Sequence, residues 1–196
     1  MQTLTDTPTA ATTTDQRQQD DVVDQRLLRA IAEERDETAM ETFYHRYQHR
    51  LTPFLRRLTQ DAELLQEAYN DVMHKVWRYA HQYRGTSRVS SWVFSIGYRT
   101  CLKMVRQAAR LPATDVDETM LHTDAQTTSI DSARDIERAL RRLAPRHRLV
   151  VELAYFEGLS MQEIANIAGC PQNTVKTRLH HARRKLHKLL GSAHGF

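Results

Sequence analysis

The chain has 196 residues, a length that fits one large or two small domains. Its 6 glycines and 5 prolines are few for this length, which disfavours a β-sandwich or barrel with many turns and favours an all-α fold. With 28 basic and 24 acidic residues, the net charge of +4 does not by itself indicate a partner. The sequence lacks both a long apolar run and an apolar N-terminal stretch, so we expect no membrane insertion and no signal peptide.

Composition and apolar spacing divide the chain into five parts. We predict a disordered tail at 1–20, a helical domain at 21–108, a flexible linker at 109–129, a second helical domain at 130–190 and a tail at 191–196. Within the first domain, Pro53 is expected to kink or interrupt a helix near Thr52, and Ser90 or Ser91 is expected to cap another helix. Because the linker composition offers little to bury, the two domains are expected to move independently.

Charge is distributed unevenly along the chain. Residues 72–114 and 171–196 contain no acidic residue but carry eight and six lysines or arginines, and an acidic stretch at 115–137 lies between them. Two basic blocks with an acidic spacer predict two surfaces that each contact a polyanion. Two solvated helix faces are the simpler alternative.

The sharpest local motif lies in the last forty residues. Ser160 and Glu163 have the spacing of a capping box, Gly169 suits a tight turn, and Pro171 suits the first turn of a new helix. A short capped helix, a glycine turn and a second helix with a basic face are typical of a helix-turn-helix DNA reader. An ordinary helical hairpin with a basic solvent face is the alternative.

Both halves of the chain resemble a known family. The segments 138–148, 156–160 and 174–183 resemble the C-terminal domain of extracytoplasmic-function sigma factors, and 83–87 with 92–96 resembles their promoter-melting segment. The resemblance runs from about residue 25 to residue 190. It implies a protein of the cytoplasm that is not an enzyme, needs no cofactor, binds core RNA polymerase and promoter DNA, and is held by an anti-sigma factor or another regulator. Two widely spaced cysteines, Cys101 and Cys170, also suit a reducing cytoplasm.

The resemblance also assigns site residues. In the segment that would read the upstream, minus-thirty-five element, the bases would be contacted by Lys176, Thr177, His180 and His181, and the phosphates by Arg178, Arg183 and Arg184. Asn173 and Thr174 complete the predicted set. The melted downstream, minus-ten element would contact basic and aromatic residues, namely Tyr83, Arg84, Ser87, Arg88, Trp92, Tyr98, Arg99 and Lys103. Trp92 also has the spacing of a core residue, and Arg99 stands where many members carry asparagine. Polymerase would contact Glu67, Asn70, Asp71 and Lys75, in a helix where the family's acidic cluster is reduced to Glu67 and Asp71.

Two other classes of protein remain open. A stand-alone helix-turn-helix regulator would not need the acid-free aromatic segment at 72–114, and a helical enzyme would need a catalytic constellation that the sequence does not offer. His45 and His49 have the i,i+4 spacing of metal ligands, but no carboxylate or cysteine completes a set at standard spacing. We therefore expect no metal site.

Overall fold

The structure, a computed structural model, describes residues 10–59, 61–108 and 132–191. All regular structure in these ranges is helical, which confirms the all-α fold of two helical domains. The helices are α1 (Ala10–Glu34), α2 (Glu37–Arg56), α3 (Ala62–Tyr79), α4 (Val89–Ala108), α5 (Ser132–Arg141), α6 (Pro145–Val151), α7 (Met161–Ala168) and α8 (Gln172–Gly191), with a 3-10 turn at Ala80–Gln82 and a π-helical turn at Glu152–Phe156. The predicted linker at 109–129 lies outside the described residues.

Helices α1–α4 form the N-terminal domain around one aromatic core. Phe54 of α2 and Phe94 of α4 meet edge to face with ring centroids 5.0 Å apart, and both are buried. A Cβ added to Gly97 of α4 would lie 2.9 Å from Leu51 Cδ1, so the missing side chain is what lets α4 approach α2 this closely. The position of α4, which carries most of the predicted downstream-element residues, is therefore fixed by core packing.

Two helices in the first sixty residues extend further than the sequence predicts. Residues 10–20, which the sequence assigns to a disordered tail, are helical and form the first part of α1, and Asp20 pairs with Arg46 of α2 at 2.6 Å. Residues 1–9 of the predicted tail lie outside the described residues. Pro53 does not interrupt α2, which continues to Arg56. Because Pro53 lies in the last turn, the carbonyl that it leaves without an amide donor belongs to the exposed His49, where water can bind it.

The predicted cap of α4 is also wrong. Helix α4 begins at Val89, before both serines, and its first amide donates to Asp21 Oδ1 of α1 at 2.9 Å. Ser90 and Ser91 are buried, and the Ser91 hydroxyl donates to Glu163 Oε1 of α7 at 2.6 Å. The serine that resembled a local cap is therefore a contact between the two domains.

Helices α5–α8 form the C-terminal domain, and it packs against the N-terminal one. Besides the bond between Ser91 and Glu163, Arg50 of α2 lies 3.4 Å from Glu157, and Arg57 stacks 4.5 Å from the centre of the Phe156 ring. The linker composition gave no sign of these contacts. The structure thus shows a closed arrangement where the sequence predicted independently moving domains.

Candidate nucleic-acid interface

The helix-turn-helix is built by local signals. Ser160 Oγ accepts from the Glu163 amide at 3.3 Å, and the Glu163 carboxylate accepts from the Ser160 amide at 2.8 Å, which completes the predicted capping box. Gly169 ends α7 in the left-handed region with φ 62°. Pro171 precedes α8 by one residue, and its carbonyl accepts from the Thr174 and Val175 amides. These signals set the angle at which α8 leaves α7.

Helix α8 presents a basic, polar face to solvent. Val175, Leu179 and Ala182 are buried against the domain, so the residues between them face outward. The predicted upstream-element residues on this outward face are Asn173, Lys176, Thr177, His180, His181, Arg183 and Arg184, all exposed, with Thr174 and Arg178 half-buried. The structure brings all nine to one helix, in the arrangement that a major-groove reader needs.

Two aromatic groups beside α8 were missed by the sequence reasoning. Tyr155 is exposed, and its hydroxyl accepts from Arg183 Nε at 2.5 Å. His147 of α6 lies with its ring 6.2 Å from that of His181. Burial lowers the pKa of His147, and the positive charges of Arg146, Arg178 and Lys185 lower it further. A histidine at the third position of a helix that begins with proline is not a recognised binding signal, and only the folded contact places it at this surface.

The predicted downstream-element residues divide into a packed group and an open group. Tyr83 and Trp92 are half-buried with ring centroids 5.8 Å apart, and the Tyr83 hydroxyl donates to the Ser87 carbonyl. Burial raises the pKa of Tyr83 to about 12. Arg84, Arg99 and Lys103 are exposed, while Ser87, Arg88 and Tyr98 are half-buried. The aromatic pair therefore orders the loop, and the exposed cations remain available to a strand of nucleic acid.

A cavity of about 690 Å³ lies beside this loop. It is bounded by α1 and by the turn after α3, and its lining includes the charged residues Arg26, Arg29, Glu33 and Arg84, beside His81. Arg84 was predicted from the sequence. The two α1 arginines were not, because nothing local links them to a loop more than fifty residues away.

The residues expected to contact polymerase share one face of α3 and are already ordered. Glu67 and Asn70 are exposed, and Asn70 Oδ1 accepts from the Tyr44 hydroxyl at 3.2 Å. Lys75 Nζ donates to Asp71 Oδ2 at 2.7 Å and to Thr100 Oγ1 of α4 at 2.8 Å. Asp71 and Lys75 thus connect the candidate polymerase face to the candidate DNA-binding helix.

Glu163 has two roles in the closed arrangement, as a cap of α7 and as a partner of α4. Burial alone would raise the pKa of its carboxyl, but hydrogen bonds from Ser91 and Ser160 together hold that pKa below its usual value. Because α7 packs on α4 through this contact, the first turn of α4 is covered by the same domain that carries the helix-turn-helix.

Every helix in the described ranges is too short or too polar to cross a bilayer.

A helix-turn-helix domain joined to a helical domain with a basic, aromatic segment defines a DNA-binding transcription factor of two parts. The family model described as Sigma-70 region 2 matches residues 43–111, and the one described as Sigma-70, region 4 matches residues 133–186. The ECF RNA polymerase sigma factor SigM of Mycobacterium tuberculosis is 32% identical over 148 residues, covering 76% of this chain and 74% of the relative. The RNA polymerase sigma-H factor of Pseudomonas aeruginosa is 28% identical over 181 residues, covering 85% and 93%.

Two solved structures share the fold. CnrH in complex with the cytosolic domain of CnrY matches with a TM-score of 0.63 at 22% identity, over 87% of this chain and 98% of that one. The sigma factor RpoE in complex with the anti-sigma factor NepR from Bartonella quintana matches with a TM-score of 0.60 at 23% identity, over 77% and 96%. The chain belongs to the sigma-70 family, in its extracytoplasmic-function group, and is an alternative sigma factor that directs transcription initiation.

Proposed function

We propose that α8 reads the upstream promoter element in the major groove. Its exposed face carries the observation on which this role depends: Lys176, Thr177, His180 and His181 lie on one side of a helix whose other side is buried. These four are assigned to base edges. Arg178, Arg183 and Arg184 are assigned to phosphates, which fix register without reading sequence.

The loop and α4 are assigned to the melted downstream element. Arg84, Arg99 and Lys103 are exposed on an acid-free segment and suit the backbone of a single strand. Trp92 is half-buried and packs on Tyr83, so we assign it to support of the loop as well as to the melted strand. The Asp71–Lys75 pair and Glu67 on α3 are assigned to the polymerase contact, as charge-assisted partners.

The test of this function uses the full chain with core RNA polymerase. Purified protein should bind core and support run-off transcription from a promoter selected by that holoenzyme. The variant Lys176→Ala should relax the base preference at one upstream position, at a cost of about 1–3 kcal/mol in binding free energy. The variant Arg184→Ala should weaken binding to all DNA sequences alike and reduce by about 1 the slope of log affinity against log salt concentration. A protein that bound upstream DNA but not core would be a stand-alone helix-turn-helix regulator.

We further propose that the protein acts in the cytoplasm as a non-enzymatic factor and that an anti-sigma partner controls it. The described cysteines are both unpaired, Cys101 buried and Cys170 half-buried, as a reducing compartment permits. The solved neighbour RpoE carries an anti-sigma factor in its structure. Co-purification of this chain with a regulator that blocks its binding to core RNA polymerase would support the proposal of an anti-sigma partner. If the protein isolated from cells carried no regulator and were fully active in transcription, the proposal would be contradicted.

A further inference from the structure

Helix α1 begins well before the segment that the family models match, and its first part contacts both domains. Asp21 Oδ1 accepts from the Val89 amide at 2.9 Å, so α1 caps the first turn of α4 across 68 residues. Farther along the same face, the Arg17 guanidinium lies against the backbone of Gly158, where an added Cβ would collide with it. One helix therefore links the candidate downstream reader to the helix-turn-helix domain.

Four charged side chains form a network beside this contact. Asp24 of α1 is buried and lies 3.9 Å from Arg50 of α2, and Arg50 lies 3.4 Å from Glu157 of the C-terminal domain. Arg17 of α1 also attracts the Glu157 carboxylate. Asp24 and Arg17 are therefore two charges of α1 at the ends of a network whose centre is the Arg50–Glu157 pair.

The network depends on its arginines more than on the Glu157 carboxylate. Burial raises the pKa of Glu157, and Arg50, Arg57 and Arg17 oppose that rise without cancelling it. A buried carboxylate that loses one of its cations is less well compensated, and a neutral isostere in the same place does not carry that cost. Removal of Arg17 should therefore open the contact, and neutralisation of Glu157 should not.

The closed arrangement also cannot read both promoter elements. Their names place them about 25 base pairs apart, or about 85 Å at 3.4 Å per base pair. Helix α8 packs on α7 and α7 packs on α4, so two interhelical spacings of 8–10 Å leave α8 about 20 Å from α4. Promoter binding of the proposed kind requires the domains to separate.

We propose that the first part of α1, residues 16–24, is a strap that holds the free protein in this closed, promoter-incompetent arrangement. Release requires a competitor for the same groups. DNA phosphates suit the amide end of α4, and an acidic partner surface suits Arg17 and Arg50. The consequence for promoters rests on the proposed function, but closure itself does not.

Amide hydrogen exchange on the full chain, followed by NMR, tests the strap. The amides of Val89, Ser90 and Ser91 begin α4, so none has a partner within the helix, and these three residues are buried in the closed arrangement. In Arg17→Ala, exchange at all three should accelerate about tenfold or more, because the change removes the contact of α1 with Gly158 and one of the three cations that compensate the buried Glu157. In the double variant with Glu157→Gln, exchange should return towards the original rate.

Two comparisons separate strap release from general loss of stability. Arg29→Ala removes the same charge from an exposed position of α1, where its salt bridge to Glu33 is also exposed, and should leave the three amides unchanged. The buried Ala68 amide in the middle of α3 should exchange at one rate in all variants. Acceleration at Val89 alone, equal acceleration at Ala68, or failure of the double variant to recover would each overturn the proposal. None of these measurements requires polymerase or promoter DNA, so failure here leaves the sigma-factor assignment to its own transcription assay.

Discussion

Two carboxylates of α1 hold the same arginine at the same distance but differ in burial. Arg46 Nη2 lies 2.6 Å from Asp20 and Arg46 Nε lies 2.6 Å from Asp24, while the side chains are 39% and 1% exposed. Asp24 also accepts from the buried Tyr47 hydroxyl at 2.7 Å. If burial decides the strength of such contacts, Asp24→Ala should lower the free energy of unfolding much more than Asp20→Ala.

The expected difference follows from the groups left behind. Asp24→Ala leaves the Tyr47 hydroxyl without its acceptor, at about 1–3 kcal/mol, and removes a charge-assisted bond to Arg46 worth about 1.5–3 kcal/mol. Together these lower the free energy of unfolding by about 3–5 kcal/mol. Asp20→Ala removes a solvent-screened pair and should cost about 1 kcal/mol or less.

Urea unfolding followed by tryptophan fluorescence measures the difference. Both tryptophans, Trp77 and Trp92, lie in the N-terminal domain, so the signal reports the domain that contains these contacts. With a slope of about 2 kcal/mol per molar urea, Asp24→Ala should lower the midpoint by about 2 M and Asp20→Ala by less than about 0.5 M. Equal shifts for the two variants would refute the claim that burial, not distance, sets the strength.

Three further outcomes are expected. Gly158→Ala should lower the free energy of unfolding by about 1–3 kcal/mol more than Gly169→Ala in calorimetry, since both have positive φ but only the first displaces Arg17; equal losses would contradict the contact. Because the pKa of Glu163 is lowered from 4.5, its stabilisation is lost as the pH falls through that lowered value, so the melting temperature of the original protein should fall more steeply in acid than that of Glu163→Gln. Asp71→Ala should weaken binding to core about tenfold, about 1.4 kcal/mol, and Gln66→Glu should tighten it at low salt; equal affinities for all three proteins would remove the α3 assignment.

The sequence predicted the helix-turn-helix well because its signals are local. Ser160, Glu163 and Gly169 act within one turn of the helix ends that they define, so their spacing alone is informative. The buried stripe of Val175, Leu179 and Ala182 likewise predicts which face of α8 is outward. The sequence predicted less well which downstream-element residues are packed and which are exposed, because the spacing of Trp92 fits either group.

The contacts between distant segments could not be predicted in this way. Asp21 lies directly after the segment whose composition indicates disorder, and only the folded chain brings it to the start of α4. Ser91 satisfied the local pattern of a cap but is used by Glu163 from the other domain. Tertiary partners overrode local propensity at both positions, and a single sequence contains no measure of that competition.

The capping of α4 from α1 has a consequence for synthesis on the ribosome. Because 68 residues separate Asp21 from Val89, the cap leaves the exit tunnel long before the helix end that it serves. At roughly 5–20 residues per second, the acidic turn of α1 waits for seconds before the start of α4 emerges. During that interval Asp20 and Asp24 can already pair with Arg46, so the growing chain acquires a docked platform onto which its fourth helix later nucleates.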